Sequence, residues 1–185
     1  TDTIAAADRP TEWVDHVDDD DRVIGTVTRA EMRARRLLHR AVFIAVLSGP
    51  GAGDASTGRR LLVHRRAAHK DVWPGRWDLA VGGVVSAGER YDTAAVRELA
   101  EEIGVRDASP VATGSGRYVD DTVALLGRCY VVTHDGPFTF DDGEVVEARW
   151  VSGAELDAMV ADTVATPFVP DSVALVLPLV RTMLG

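Results

Sequence analysis

The stretch Gly83-Val84-Val85-Ser86-Ala87-Gly88-Glu89, followed after seven residues by Arg97-Glu98-Leu99-Ala100-Glu101-Glu102-Ile103-Gly104-Val105, sets the fold of the chain around it. Its second half predicts a helix from Asp92 to Ile103, with Asp92 as amino-terminal cap and Gly104 as left-handed stop. At about 100° per residue, Glu98, Glu101 and Glu102 fall in one narrow sector, while Val96, Leu99, Ala100 and Ile103 gather roughly opposite. One face should bury and the other concentrate charge. Like charges three and four apart on a helix repel by roughly a few tenths of a kcal/mol per pair, so three clustered carboxylates call for open water or a cation. Hard oxygen ligands suit Mg2+, with Mn2+ as the alternative. Ala94, one turn before Glu98, should leave room for a ligand, and Gly82, Gly83 and Gly88 would let backbone approach it closely.

Taken alone, Glu-x-x-Glu-Glu is most often a solvated helix face, and Gly-Gly a turn. The full spacing, however, resembles the Nudix box at every constrained position: G-x5-E-x7-R-E-U-x-E-E-x-G-U, with U a bulky aliphatic residue. That resemblance implies an α/β/α sandwich with a mixed β-sheet, its metal site on a loop-helix-loop. It implies Glu98 and Glu102 as metal ligands, Glu101 as a further ligand or base, and the Gly83 carbonyl as a completing donor. Glu89 would assist metal or water. Arg97, beside the acidic face, would orient the glutamates by ion pairing and keep them ionised.

Length and composition suit one domain over residues 11–185 behind a flexible tail, 1–10. The 46% hydrophobic and 26% charged content is that of an ordinary soluble protein. A net charge of −9 disfavours a nucleic-acid duplex or an anionic membrane as partner, but leaves small phosphorylated metabolites open. Cys129, the single cysteine, lies in a strand-like apolar run and reads as a small buried hydrophobe. With no secretory segment or membrane-length apolar run in view, a cytoplasmic location is the expectation.

Along the chain, 13–17 and 22–27 predict two strands around an acidic turn. Thr28-Arg29-Ala30-Glu31 has capping-box spacing and predicts a short basic helix to Arg36, with Arg33, Arg35 and Arg36 on its wet face. His39 precedes an apolar strand, 41–47, which should pair across the glycine-rich loop 49–58 with a returning strand, 61–66. Trp73 and Trp77 bracket a turn and could pack beneath it or wall a substrate pocket. Further strands are expected at 79–81, 118–119, 124–133 and 145–151, with helices opening at Ser152 and at Asp171 or Ser172 and the last ending near Leu184.

Beyond the box, Val23-Ile24-Gly25, Leu38-His39-Arg40-Ala41, Arg65-Arg66 with Lys70, Trp73-Pro74-Gly75 and Phe168-x-Pro170-Asp171-Ser172 resemble the Nudix subgroup near isopentenyl diphosphate isomerase. This implies diphosphate contacts from Arg66 and Lys70, with Trp73 in the pocket wall, and a homodimer. The isomerase cysteine, however, falls on Gly82, and its metal-binding histidines fall on Val84 and Met32. The chain therefore reads as a Mg2+-dependent hydrolase of phosphoanhydrides, in a nucleoside diphosphate linked to another moiety or a related small diphosphate. An isomerase-like enzyme and a non-catalytic nucleotide-metabolite-binding module are the alternatives. Glu144 and Glu147, on a later loop and strand, are candidates for the base, with Glu147 carried forward as catalytic.

Overall fold

The structure is a computed structural model that describes residues 11–50, 58–141 and 143–184. The expected tail, 1–10, and residues 51–57 of the glycine-rich loop lie outside the described residues. An antiparallel pair, β1 (Trp13–Val17) and β2 (Val23–Thr28), leads into α1 (Arg29–Arg35), β3 (His39–Leu47) and β4 (Leu61–Arg66). Two short strands, β5 (Trp77–Asp78) and β6 (Val81–Val84), precede α2 (Tyr91–Ile103). Then come β7 (Val111–Val119), β8 (Ala124–Thr133), β9 (Val145–Val151), α3 (Gly153–Ala161), α4 (Pro170–Leu175) and α5 (Leu177–Leu184).

Strand β3 explains the layering, because its apolar residues alternate between two cores. Ala41, Phe43, Ala45 and Leu47 face one core, shared with Leu156 of α3, Val176, and Leu177, Val180 and Leu184 of α5. Val42, Ile44 and Val46 face the other, shared with Ala94, Ala95, Leu99 and Ile103 of α2. The result is an α/β architecture, a mixed sheet with helices on both faces: β3 runs parallel to β8 and antiparallel to β6.

Strand pairing departs from the expected 41–47 with 61–66 hairpin. Among the described residues, strands β3 and β4 are in register only at Leu47 and Leu61, and β4 instead pairs with β9 from Leu61 opposite Val151 to Arg66 opposite Val145. The non-local parallel partner β8 takes one side of β3 for its whole length, which local sequence could not announce. Other boundaries also shift. Leu79 and Ala80 form the bend between β5 and β6 rather than a strand, and β7 begins at Val111, well before Tyr118. Helix α4 starts with Pro170 in its first turn and Val169 as cap, so Asp171 and Ser172 lie inside the helix, and the final helical stretch breaks at Val176.

Helix α2 starts one residue earlier than expected. Arg90 is its cap, without a side-chain bond, and Asp92 sits in the first turn, where its Oδ1 accepts from the Tyr130 hydroxyl at 2.7 Å. Gly104 does end the helix in the left-handed region, with φ 73°. The capping box of α3 forms in full: Ser152 accepts from the Glu155 amide while Glu155 accepts from the Ser152 amide. Cys129 is buried, with its thiol against the Leu175 carbonyl, and burial pushes its pKa up to about 11.

Candidate active site

The loop-helix-loop places its residues differently from a simple helical wheel. Val96 points outward at 44% exposure, whereas Glu98 and Glu102 are 8% and 4% exposed. The buried face of α2 therefore carries two carboxylates, and Ala94 packs in the core rather than opening space for a ligand. Glu101 leaves this pair: its side chain is 57% exposed and, among the described residues, reaches only the Arg97 guanidinium, at 3.0 Å. Among the described residues, no three His, Cys, Asp or Glu side chains are gathered closely enough to hold a metal ion. The expected three-carboxylate face is split into a buried pair and an outlier.

Arg97 organises the wall behind the pair. It donates from Nε and Nη2 to both Glu89 oxygens, at 3.0 and 2.9 Å, from Nη1 to Glu98 at 2.7 Å, and from Nη2 to the Val84 carbonyl at 3.2 Å. The bonds to Glu89, with the charge of Glu98 behind them, raise the Arg97 pKa, so the guanidinium is a permanent cation in the wall. Glu89 spends its carboxylate on this fork and on the Ser86 amide at 3.0 Å, closing the loop ahead of the helix.

The pair faces a cavity of about 100 Å³ roofed by the β4–β5 connection. Lys70 Nζ lies 3.7 Å from Glu102 and also pairs with Glu144. Arg66 donates to the Val72 carbonyl at 3.0 Å and lies 3.5 Å from Asp78, which shares this cavity with Asp171. Burial, reinforced by the neighbouring Glu98, raises the Glu102 pKa to about 8. Burial also raises Glu98, although Arg97 opposes it. Asp171 is pushed up to about 7 by burial and by Asp78. These carboxylates sit where a further positive charge would be stabilised.

The backbone beside them bears on whether the pair suits a divalent cation. A Cβ on Gly83 would fall onto the Glu98 carboxylate, so only glycine admits that side chain here. Gly82 donates its amide to Glu102 at 3.3 Å, and a Cβ there would meet the Val42 carbonyl. The donor set of Glu98 and Glu102, with a glycine-lined backbone at their side, fits a hard cation.

The other expected site residues divide. Arg66, Lys70, Trp73 and Glu144 line the same cavity as Glu98 and Glu102. Trp73 adopts φ 53° and stands in the wall, whereas Trp77 packs in the core beneath the Arg149 guanidinium. Glu147, expected as catalytic, is not among the residues lining this cavity: it is half-exposed on β9, 3.3 Å from Arg65. Arg33, expected on a wet face, lines the cavity with Arg29. His39 is buried there too, held by the Leu37 carbonyl at 2.9 Å, and burial drops its pKa to about 4, leaving it neutral. The four-residue spacing of Arg29 and Arg33 was the one signal that could have flagged them, since it puts both on one helix face.

The NUDIX domain profile matches residues 37–171, which include every element of this cavity except α1. The chain belongs to the Nudix hydrolase family. Its relatives include an uncharacterized Nudix hydrolase of Yersinia pestis, 36% identical over 87% of this chain and 81% of that protein. Another, from Pseudomonas aeruginosa, is 37% identical over 87% of this chain and 89% of its own. The crystal structure of DR0079 from Deinococcus radiodurans superposes on this Nudix hydrolase with a TM-score of 0.73 and 26% identity, covering 93% of this chain and 99% of that one. The NUDIX domain of Shewanella oneidensis NrtR, solved with ADP ribose, shares the fold at a TM-score of 0.58 and 19% identity, covering 86% of this chain and all of that one.

Proposed function

We propose that this Nudix hydrolase cleaves a phosphoanhydride bond, with Mg2+ or Mn2+, in a nucleoside diphosphate joined to another moiety or a related small diphosphate. The observation that carries the reading is the buried Glu98–Glu102 pair sharing one cavity with Lys70 and Arg66. Carboxylates and cations side by side in one cavity are what a metal–diphosphate complex requires.

Glu98 and Glu102 would hold the cation, with the Gly83 carbonyl beside them; when bound, it neutralises phosphoryl oxygens and lowers the pKa of water. Lys70 and Arg66 bind the diphosphate, Lys70 as a point charge and Arg66 from a guanidinium already anchored on Val72. Arg97 fixes the Glu98 carboxylate and holds Glu89 and Glu101 in place. Glu144, ion-paired with Lys70 at the edge of the same cavity, would take a proton from attacking water. Trp73 walls the site against solvent.

Two other readings are disfavoured by specific residues. An isomerase would need a cysteine at position 82, where the Val42 carbonyl leaves no room for a side chain. A binding-only module would not need the Arg97 fork and the buried glutamates together. The test is a phosphate-release screen with Mg2+ over nucleoside triphosphates, dinucleoside polyphosphates, ADP-sugars, NADH, coenzyme A and isopentenyl diphosphate. Turnover of at least one substrate that stops in EDTA is expected; binding without release would favour the module.

A further inference from the structure

The cavity has a wall that the Nudix box does not reach. Arg29 and Arg33 project from α1 into the cavity that holds Glu98, Glu102, Arg66 and Lys70. Both converge on a single oxygen: Asp71 Oδ2 lies 3.1 Å from Arg33 Nε and 3.5 Å from Arg29 Nη2. Arg29 also donates to Glu12 at 2.7 Å. Arg33 has less. Its side chain is 23% exposed, and only Nε has a partner among the described residues, leaving two terminal nitrogens as unused donors.

That is an unusual condition for a guanidinium. Burial lowers the pKa of Arg33, with Asp71 opposing and Arg29 adding to the effect, so the cation is held where water is scarce and its neighbours include other cations. Asp71 follows Lys70 directly in the chain, on the connection that also carries Trp73 with its left-handed backbone. One carboxylate oxygen shared by two arginines is a monodentate substitute for a phosphoryl group, which offers three oxygens to the same fork.

We propose that Arg29 and Arg33 form a second anion subsite for a phosphoryl group beyond the diphosphate that is cleaved, and that the Asp71 carboxylate occupies this subsite until a phosphate displaces it. This deepens the hydrolase reading and rests on it for the identity of the first subsite. It selects a substrate class: compounds bearing a third phosphoryl group, over diphosphates whose far end is a neutral sugar. Displaced Asp71 would carry the connection with it, bringing Lys70 and Trp73 under the control of whatever binds at Arg33.

Calorimetric titration of the whole protein with inorganic tripolyphosphate and with pyrophosphate, both in EDTA, tests the subsite without relying on turnover. Tripolyphosphate should bind at least tenfold more tightly than pyrophosphate. Arg33→Gln should abolish that preference, Arg33→Lys should restore part of it, and Asp71→Asn should tighten tripolyphosphate by threefold or more by removing the competing anion. Equal affinity of the two ions, or a preference that survives Arg33→Gln in a variant with unchanged circular dichroism, would overturn the subsite. Weaker tripolyphosphate binding in Asp71→Asn would overturn the displacement. Arg33-dependent binding with no turnover in the Mg2+ screen would leave the subsite standing and remove the hydrolysis it was attached to.

Discussion

Replacing Glu102 with Gln should separate activity from stability, because the structure makes this carboxylate costly to the fold. Its ordinary pKa of 4.5 rises to about 8 through burial beside Glu98. The folded protein therefore binds a proton that the unfolded chain has released across this window, and stability must fall as pH rises through it. At 1.36 kcal/mol per pKa unit, the penalty is about 1 kcal/mol at pH 5 and grows to about 4 kcal/mol near pH 8. The amide keeps an oxygen for the Gly82 amide but leaves Lys70 with Glu144 alone, a loss that should vary little with pH. In EDTA, the melting temperature of the parent should drop between pH 5 and pH 8. At about 2–4 °C per kcal/mol for a chain of this size, the difference between Glu102→Gln and parent should grow in favour of the variant by about 6–12 °C over that interval. Mg2+ should stabilise the parent and not the variant, and Mg2+-dependent hydrolysis should be lost. Scanning calorimetry checks the first two and phosphate release the third. Parallel pH profiles for parent and variant, or an active Glu102→Gln enzyme, would refute the reasoning.

The remaining expectations follow the same geometry. Glu144→Gln should slow turnover at least tenfold with little change in KM, whereas Glu147→Gln should leave steady-state kinetics within twofold of parent. Gly83→Ala, whose Cβ meets the Glu98 carboxylate, should reduce Mg2+-dependent activity at least a hundredfold, read in the same phosphate-release assay. Asp171→Asn should remove a second component of the stability loss, between its ordinary pKa of 3.8 and about 7, for the same reason of sign; melting curves in EDTA against pH would detect it.

The helix of the box was legible because two local signals agree: a helical period over 96–103 and a glycine at 104 to stop it, found at φ 73°. Its buried face was legible in part: Leu99 and Ile103 are buried as expected, but the carboxylates beside them were not foreseen there. Periodicity gives the phase of a helix but not its inside, and hydrophobicity pointed Val96 inward and Glu98 outward, the reverse of what is found. A functional site can invert that rule because a bound cation compensates buried carboxylates. Strands 124–133 and 145–151 were readable from their apolar runs. Their partners were not, since β8 beside β3 and β9 beside β4 join residues 79 to 90 positions apart. Non-locality also hid half of the cavity. Arg33 and Asp71 meet across 38 residues, and nothing near either one in sequence distinguishes an arginine on a wet face from one lining a cavity.

The most direct measurement is Mn2+ binding followed by electron paramagnetic resonance, comparing the parent with Glu98→Gln and Glu102→Gln at pH 8. At least one Mn2+ bound per parent chain is expected, with affinity reduced tenfold or more in each variant. Mn2+ bound equally well by both variants would contradict the assignment of the buried pair as the metal cradle.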